Sequence, residues 1–421
     1  MCGIAGCYGP SASQDLALNM ANRLTQRGPD DSGVFYDEAS SIALSHRRLA
    51  ILDLTAEGHQ PMSSPDGLFE MVFNGEIYNH LELRQEVERE YGEIKWRGHS
   101  DTETLLFCIQ KWGLEKTISR ALGMFAIALW DRESERLFLV RDRLGEKPLY
   151  FGWSDGLFLF ASELKAFYGF SSFSREIDRD TLGLYFKFLS VPAPYSIYKD
   201  VFKLEPGWIL SLDKKHNNRA PVKYPSVPLK IDGFSIEKYW SISDVASAGL
   251  SNPILDESHG VKILEDTLKK AISRQAISDV PLGAFLSGGI DSSTIVALLQ
   301  CDLQTATKTF SIGFEDASLD EAKYAKAVAQ HLKTEHTELY VSAKDAQDVI
   351  PIIPELYCEP FADPSQIPTF LVSKLAKKSV TVALSGDGGD ELFCGYNRYL
   401  WSSKIWDKIG WIPKDARSVI G

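Results

Sequence analysis

Val280-Pro281-Leu282-Gly283-Ala284-Phe285-Leu286-Ser287-Gly288-Gly289-Ile290-Asp291-Ser292-Ser293 is the stretch on which the fold of the second half of this chain turns. An apolar run over 280–286 reads as a buried strand, and the residues from 291 to about 300 read as a helix. Between them lies a turn with two adjacent glycines, where the backbone can approach a ligand closely. Downstream the alternation continues: strand 309–314, helix 319–332, strand 336–341, helix 366–378 and strand 379–384. Upstream, Val261, Leu264, Leu268, Ala271 and Ile272 recur at helical spacing. Strands alternating with helices predict an α/β doubly wound parallel sheet covered on both faces. Ligands of such folds bind at the carboxyl ends of the strands.

The turn itself carries chemistry. Its glycines, the hydroxyls of Ser287, Ser292 and Ser293, and the free N–H groups of a helix start suit a phosphate. Asp291 would repel that phosphate unless a divalent cation bridges the two, which points to Mg²⁺. There is no lysine, so this is not a G-x-x-x-x-G-K-[ST] loop. An ordinary Ser/Gly turn that caps a helix is the plainer alternative. Ser385-Gly386-Asp387-Gly388-Gly389-Asp390-Glu391 follows strand 379–384 and forms a second glycine-acid loop. By itself it reads equally as a calcium-binding or a merely flexible turn. At a neighbouring strand end it would face the first loop, with Asp390 joining Asp291 on the metal.

The first half has a different texture. Gly123–Trp130, Leu137–Val140, Leu157–Ala161 and Trp208–Leu212 are short, aromatic runs that read as strands, with helices at 81–90 and 102–112. Lys, His and Asn at 214–218 and Pro221, Pro225 and Pro228 mark a linker over 213–240. The expected domains are 1–212 and 241–421, in keeping with a length of 421 residues. The end at Gly421, soon after a Trp-rich helical stretch, suggests a fragment of a longer protein.

Composition narrows the function. A net charge of −12 argues against a general nucleic-acid binder. No apolar run reaches membrane-spanning length and no signal peptide is apparent, which points to the cytoplasm. The six cysteines form no CxxC pair, so neither a zinc site nor a disulfide framework is indicated.

One cysteine stands out. Cys2 follows Met1 directly, and removal of the methionine leaves a residue with both a thiol and an α-amine. These titrate near about 8.5 and about 7.7–8.0, which places a nucleophile and a base of matched strength on one residue. A small buried hydrophobe in a first strand is the alternative. A catalytic Cys2 needs an oxyanion hole and substrate anchors. Asn74-Gly75-Glu76, expected at the end of strand 71–73, offers an amide and a backbone N–H. Arg48 could grip a carboxylate bidentately, and Asp101 could pair with an ammonium. Taken singly, Arg48 and Asp101 read equally as surface ion pairs, and Asp101 as a helix cap.

Together the strings resemble glutamine-hydrolysing asparagine synthetases of the bacterial B type. The matching residues are Met1-Cys2-Gly3-Ile4, Arg27-Gly28-Pro29-Asp30, His46 with Arg48-Leu49, Asn74-Gly75-Glu76-Ile77-Tyr78-Asn79 and Ser100-Asp101. Arg141-Asp142 with Gly145 and Pro148-Leu149-Tyr150 follow, and then the two glycine loops. The resemblance implies an α+β N-terminal domain, a four-layer α/β/β/α Ntn-hydrolase sandwich acting as a class II glutamine amidotransferase. The second domain would be a PP-loop, adenine nucleotide α-hydrolase-like ATP-pyrophosphatase. Cys2 would attack glutamine, with Asn74 and Gly75 holding the oxyanion. Arg48 and Leu49 would bind the glutamine, and Glu76 and Asp101 its ammonium. Ammonia would pass through a tunnel to a site where ATP and Mg²⁺ activate aspartate as β-aspartyl-AMP. Phe285, Leu286, Ile312, Ser385 and Gly386 would line the adenine and ribose pocket. Asp387 stands where well-known members carry Glu, at a position linked to adenylate formation. The family's later helical segment, which carries aspartate-site residues, is not in the chain. Relatives are usually dimers. Two other readings stay open: amidation of another carboxylate, such as a sugar acid, or a glutaminase or interaction protein without synthesis.

Overall fold

The computed structural model describes residues 1–218, 228–302, 306–315, 320–414 and 416–417. Pro221 and Pro225 of the expected linker, residue 319 of an expected helix and the end Ser418–Gly421 lie outside the described residues. The chain divides into two compact units. One comprises Met1–Leu264, Ile277–Asp279 and Asp348–Pro364, and the other Glu265–Ala276, Val280–Gln347 and Ser365–Gly421.

The first unit holds two antiparallel sheets. Its strands are β1 (Gly3–Tyr8), β2 (Asp31–Asp37), β3 (Ile42–Arg48), β4 (Met62–Ser63), β5 (Phe69–Ile77), β6 (Gly123–Asp131) and β7 (Arg136–Arg141). After these come β8 (Tyr150–Ser154), β9 (Leu157–Ala161), β10 (Val201–Lys203), β11 (Trp208–Asp213), β12 (Leu229–Ile231) and β13 (Phe234–Lys238). The sheet orders are β10-β8-β9-β1-β3-β2 and β12-β13-β11-β7-β6-β5-β4. Three helices matter for the site: α1 (Gln14–Asn22), α2 (His80–Tyr91) and α3 (Asp101–Trp112).

Side chains alternate across each strand, so each sheet feeds two apolar clusters. Ile4 and Tyr8 of β1 join Val72, Ala128 and Trp130 of the other sheet in one cluster. Ala5 and Cys7, the intervening residues, pack with Ala17 and Met20 of α1 in another. Met71 and Phe73 of β5 join Leu83 of α2 and Leu105 and Ile109 of α3 in a third. Cys7 is therefore a core residue, and burial pushes its thiol up to about 12. All six cysteines are free.

Two boundaries depart from expectation. The segment 213–240 is not a plain linker: β13 pairs with β11, with Leu210 opposite Ile236, and extends the seven-stranded sheet. Phe234 and Ile236 are buried there, and that burial outweighs the proline and lysine content around them. The segment Asp348–Pro364 clusters with the first unit and not with the rest of the second half. There the Glu359 carboxylate accepts from Ile197 N (2.8 Å) and the Tyr150 hydroxyl (3.3 Å) and pairs with Lys203.

In the second unit the expected alternation appears as β14 (Leu282–Phe285), α4 (Ile290–Asp302), β15 (Lys308–Phe314), α5 (Ala322–Leu332), β16 (Glu335–Val341), α6 (Gln366–Ala376) and β17 (Val382–Leu384). All pairings are parallel, in the order β16-β15-β14-β17. Both loops of interest thus leave neighbouring strands, β14 and β17, at the same edge. Among the described residues no helix is long and apolar enough to cross a membrane.

Candidate active sites

Pairing of β1 with β3 sets Gly3 opposite Arg47 and so brings the amino terminus to the end of β3, where Arg48 and Leu49 lie. The Leu49 amide donates to the Cys2 sulfur at 3.4 Å. Arg27 Nε donates to the Cys2 carbonyl at 2.8 Å, and its other end pairs with Glu163 at 2.7 Å. Cys2 borders a small cavity of ≈ 50 Å³ whose lining also includes Arg48, Leu49, Asn74, Gly75, Glu76, Asp101 and Lys147. Every residue expected to serve glutamine chemistry is therefore gathered at one place.

Arg48 is buried, and among the described residues no ion pair holds it. Its guanidinium donates to the carbonyls of Thr55 (3.1 Å), Leu52 (3.3 Å) and Asp53, which fixes it within its own loop. That loop is tied down by the buried Asp53 carboxylate, which accepts from His99 N at 2.8 Å. Asp53 N in turn donates to Asp279 at 2.7 Å.

Asn74, Gly75 and Glu76 do not follow a strand that stops at 73. They lie inside β5, opposite Ala126, Phe125 and Met124. The cross-strand ladder with β6 carries the polar run, and the alternating pleat turns its members to different faces. The Asn74 amide nitrogen reaches the Ser162 hydroxyl only at 3.5 Å, and its carbonyl oxygen is buried without a partner. Asp101 is not the helix cap: Ser100 fills that role for α3, accepting from Glu103 N. Nor is Asp101 at the surface. It is buried, and its carboxylate accepts from Ile77 N and Thr102 N, each at 2.8 Å.

Electrostatics follow from burial. Desolvation pushes the Cys2 thiol up, offset in part by the Leu49 amide. Burial and the neighbouring Asp101 push the Glu76 carboxyl up to about 7, and one of its oxygens is buried without a partner. A ligand ammonium would satisfy both acids. Burial holds the amino-terminal ammonium down to about 5. The nearby His46 is fully buried, lies within hydrogen-bonding distance of the Phe73 carbonyl (Nε2 at 3.1 Å), and is pushed down to about 3. It does not line the cavity, and no other histidine does.

The second site is a broad cavity of ≈ 820 Å³ at the ends of β14, β15 and β17. Its lining includes Phe285, Leu286, Ser287, Gly289, Asp291, Ser292, Ile312, Ser385, Gly386, Asp387 and Asp390. The two loops abut: a Cβ on Gly386 would come within 2.7 Å of Ser292 N. Ser292 Oγ accepts from Ser287 N at 3.2 Å and so closes the first loop. Ser385 Oγ donates to Asp387 at 3.0 Å. Two expected residues are not in the lining. Gly288 supplies the turn, at φ +81°, against the backbone of Tyr324 and Ala325. Ser293 continues the helix, its amide donating to Gly289 O at 3.0 Å, and its hydroxyl is buried without a partner.

Three residues of the first site escaped the assignment of roles: Arg27, Lys147 and Ser162. Arg27 and Lys147 lie in or beside motifs already quoted and could have been flagged as charges close to a nucleophile. Ser162, whose hydroxyl accepts from Ile4 N at 3.0 Å, has no local signal.

Comparison with known proteins agrees with this division. The glutamine amidotransferase domain family matches residues 1–224, and the asparagine synthase family matches residues 263–420. A putative glutamine-hydrolysing asparagine synthetase of Methanocaldococcus jannaschii is 39% identical over the whole chain, which spans 80% of that relative. Asparagine synthetase 1 of Bacillus subtilis is 36% identical, with 95% of this chain and 59% of the relative covered. A putative asparagine synthetase of Mycobacterium tuberculosis is 35% identical, with 100% and 64% covered. By these matches the chain belongs to the family of glutamine-hydrolysing asparagine synthetases.

Proposed function

We propose that the chain hydrolyses glutamine at Cys2 and uses the ammonia for ATP-dependent conversion of aspartate to asparagine, with AMP and pyrophosphate as co-products. The observation that carries this reading is the first cavity. It holds a thiol, an amide and glycine at one strand, a fixed guanidinium, one buried acid and one half-buried acid, but no histidine. With no imidazole at hand, the base is the α-amine that Cys2 bears once Met1 is removed. The amine takes the thiol proton as the S–C bond forms and the carbonyl π pair moves to oxygen, facing Asn74 and Gly75. The C–N bond then breaks as the same proton passes to the leaving nitrogen, which departs as ammonia. Water hydrolyses the thioester to glutamate. Arg48 holds the substrate carboxylate, and Glu76 and Asp101 hold its ammonium.

The role of Glu76 makes a prediction. Its carboxyl, raised to about 7, is protonated below that pH and cannot pair with an ammonium. KM for glutamine should fall by up to about tenfold between pH 6 and pH 8, and Glu76→Gln should flatten the trend. A KM that is constant in the wild type over this range would remove Glu76 from the ammonium site.

In the second cavity, Phe285, Leu286 and Ile312 suit a nucleoside and the Ser287 loop suits phosphates, with Ser385 and Gly386 beside them. Among the described residues no cluster of three or more metal-type side chains exists. Mg²⁺ needs no such cluster: it uses one or two carboxylates and completes its shell with phosphates and water. Asp291 and Asp390 would hold it, and it would neutralise phosphate charge during adenylation. Asp387, which lines the same cavity, would act on the acyl group. The reading assigns the first unit to the Ntn-hydrolase class, with two stacked sheets between helical layers. The second is assigned to the PP-loop class, and the setting to the cytoplasm.

The test offers the purified chain glutamine, ATP, Mg²⁺ and aspartate while glutamate, AMP, pyrophosphate and asparagine are measured. Equimolar asparagine and AMP are expected. Glutamate without AMP would limit the chain to glutaminase action. AMP with another acid, but not aspartate, would reassign the acceptor.

A further inference from the structure

The Arg141–Lys147 loop is built with unusual care, and the scheme above gives it no task. Asp142, fully buried, accepts from four backbone amides: Phe125 (3.2 Å), Leu144 (3.1 Å), Glu146 (3.0 Å) and Lys147 (2.9 Å). Arg141 donates to the carbonyls of Lys147 (2.9 Å), Gly145 (2.7 Å) and Leu204 (2.7 Å). Such a network fixes the path of the turn. Its product is a lysine only 4% exposed, with Nζ 3.0 Å from the Met1 sulfur, on the wall of the Cys2 cavity. Among the described residues Lys147 forms no ion pair within 4.0 Å. Glu76, Glu146 and Asp142 act favourably on its charge, yet burial and Arg27 outweigh them and hold the ammonium below its usual range, so a stability role does not explain it.

We propose that this loop exists to place the Lys147 ammonium beside the α-amine of Cys2, so that the amine works as a free base at neutral pH. Lys147 is then a positioning residue for charge and does not touch the reacting atoms. Arg27, bonded to the Cys2 carbonyl, supplies a second cation on the opposite flank. A nearby cation disfavours protonation of an amine. Burial, then Arg27 and Lys147, all act downward on the terminal amine of the untrimmed chain, against Cys2 and Glu76. The charged groups around the position are Arg27 with Glu163 and Lys165 behind it, Glu76, Asp101, Arg48, the Cys2 thiol, and Glu146 and Asp142 on the loop itself.

The inference rests on Cys2 being the nucleophile, so the experiment includes Cys2→Ala. On protein whose intact mass shows Met1 removed, glutamate release at saturating glutamine is followed from pH 5.5 to 9 for the wild type, Lys147→Met and Lys147→Arg. Lys147→Met should move the acid limb of kcat up by about one unit or more. Well below both limbs the rate then falls about tenfold, and it rejoins the wild type at alkaline pH. Lys147→Arg should keep the wild-type limb. Should Lys147→Met not fold, Lys147→Gln carries the same test. An unmoved limb overturns the proposal, as does an equal loss at every pH. A raised KM with an unchanged kcat profile also overturns it, because that pattern marks a substrate contact. If Cys2→Ala still releases glutamate, the nucleophile assignment fails. If Cys2→Ala is inert and the Lys147→Met limb is unmoved, only the role of Lys147 fails.

Discussion

Replacing Cys2 by alanine is expected to lower glutamine-dependent asparagine formation by about 10⁴-fold or more and to leave synthesis from added ammonia near the wild-type rate. The size follows from losing the thiol that would form the S–C bond; the hydroxyls on the same cavity wall, Ser100 and Thr102, sit at the start of α3, where Ser100 caps the helix, and are weaker nucleophiles. Retention of the ammonia reaction follows from the make-up of the second cavity, which is lined by residues 285–395 alone. The substitution removes one sulfur at a cavity wall, so the fold should survive. Equal thermal melting of the two proteins checks that. Side-by-side rates with glutamine and with an ammonium salt decide the matter, and equal loss of both activities would sink the assignment of two separate chemistries. Cys7→Ala is a useful companion. Its thiol packs among Ala17 and Met20 of α1, so that variant should alter stability and not the choice of nitrogen source.

Asp291→Asn is expected to lower AMP formation by about 10²-fold while glutamate release continues. The carboxylate sits at the N-terminal end of α4, where a positive helix end and free amides already favour phosphate. An acid at such a place is unfavourable to a phosphate unless a cation lies between them. Its neighbours leave it little choice of position: a Cβ on Gly389 would come within 2.6 Å of its Oδ2. Asparagine keeps the shape and removes the charge, so the loss should appear as a higher Mg²⁺ requirement and be partly relieved at high Mg²⁺. Titrating Mg²⁺ against initial rate for both proteins measures this. Unchanged AMP formation at low Mg²⁺ would remove Asp291 from the metal site.

Legibility differed between the two halves for a physical reason. In the second unit, strand, loop and helix are consecutive, and parallel neighbours deliver their loops to one edge. Reading Leu282–Phe285, the glycines and the start of α4 in order was enough to locate that site, apart from Gly288 and Ser293. In the first unit the residues could be nominated but not assembled. Asn74–Glu76 looked like the region after a strand because its polar run breaks the apolar pattern, yet β6 pairs with it through Ile77. Asp101 looked like a cap because a helix starts there, yet Ser100 takes the cap and Asp101 is turned inward to Ile77 N. Phe234–Lys238 looked like linker because prolines and lysines precede it, yet β11 offers it an open edge.

By itself the sequence determined the parallel α/β half, both glycine loops and the family, and it nominated Cys2. Those are local: side-chain periods of about 2 and 3.6, turn residues, and motifs in chain order. Tertiary structure alone decided that Cys2 faces a cavity while Cys7 faces the core, that Arg48 is caged by carbonyls, and that Lys147 reaches the amino terminus. These depend on antiparallel register between strands tens of residues apart, where a shift of one residue turns every side chain to the other face. Register is set by the summed burial of both sheets, which no single stretch of the chain encodes.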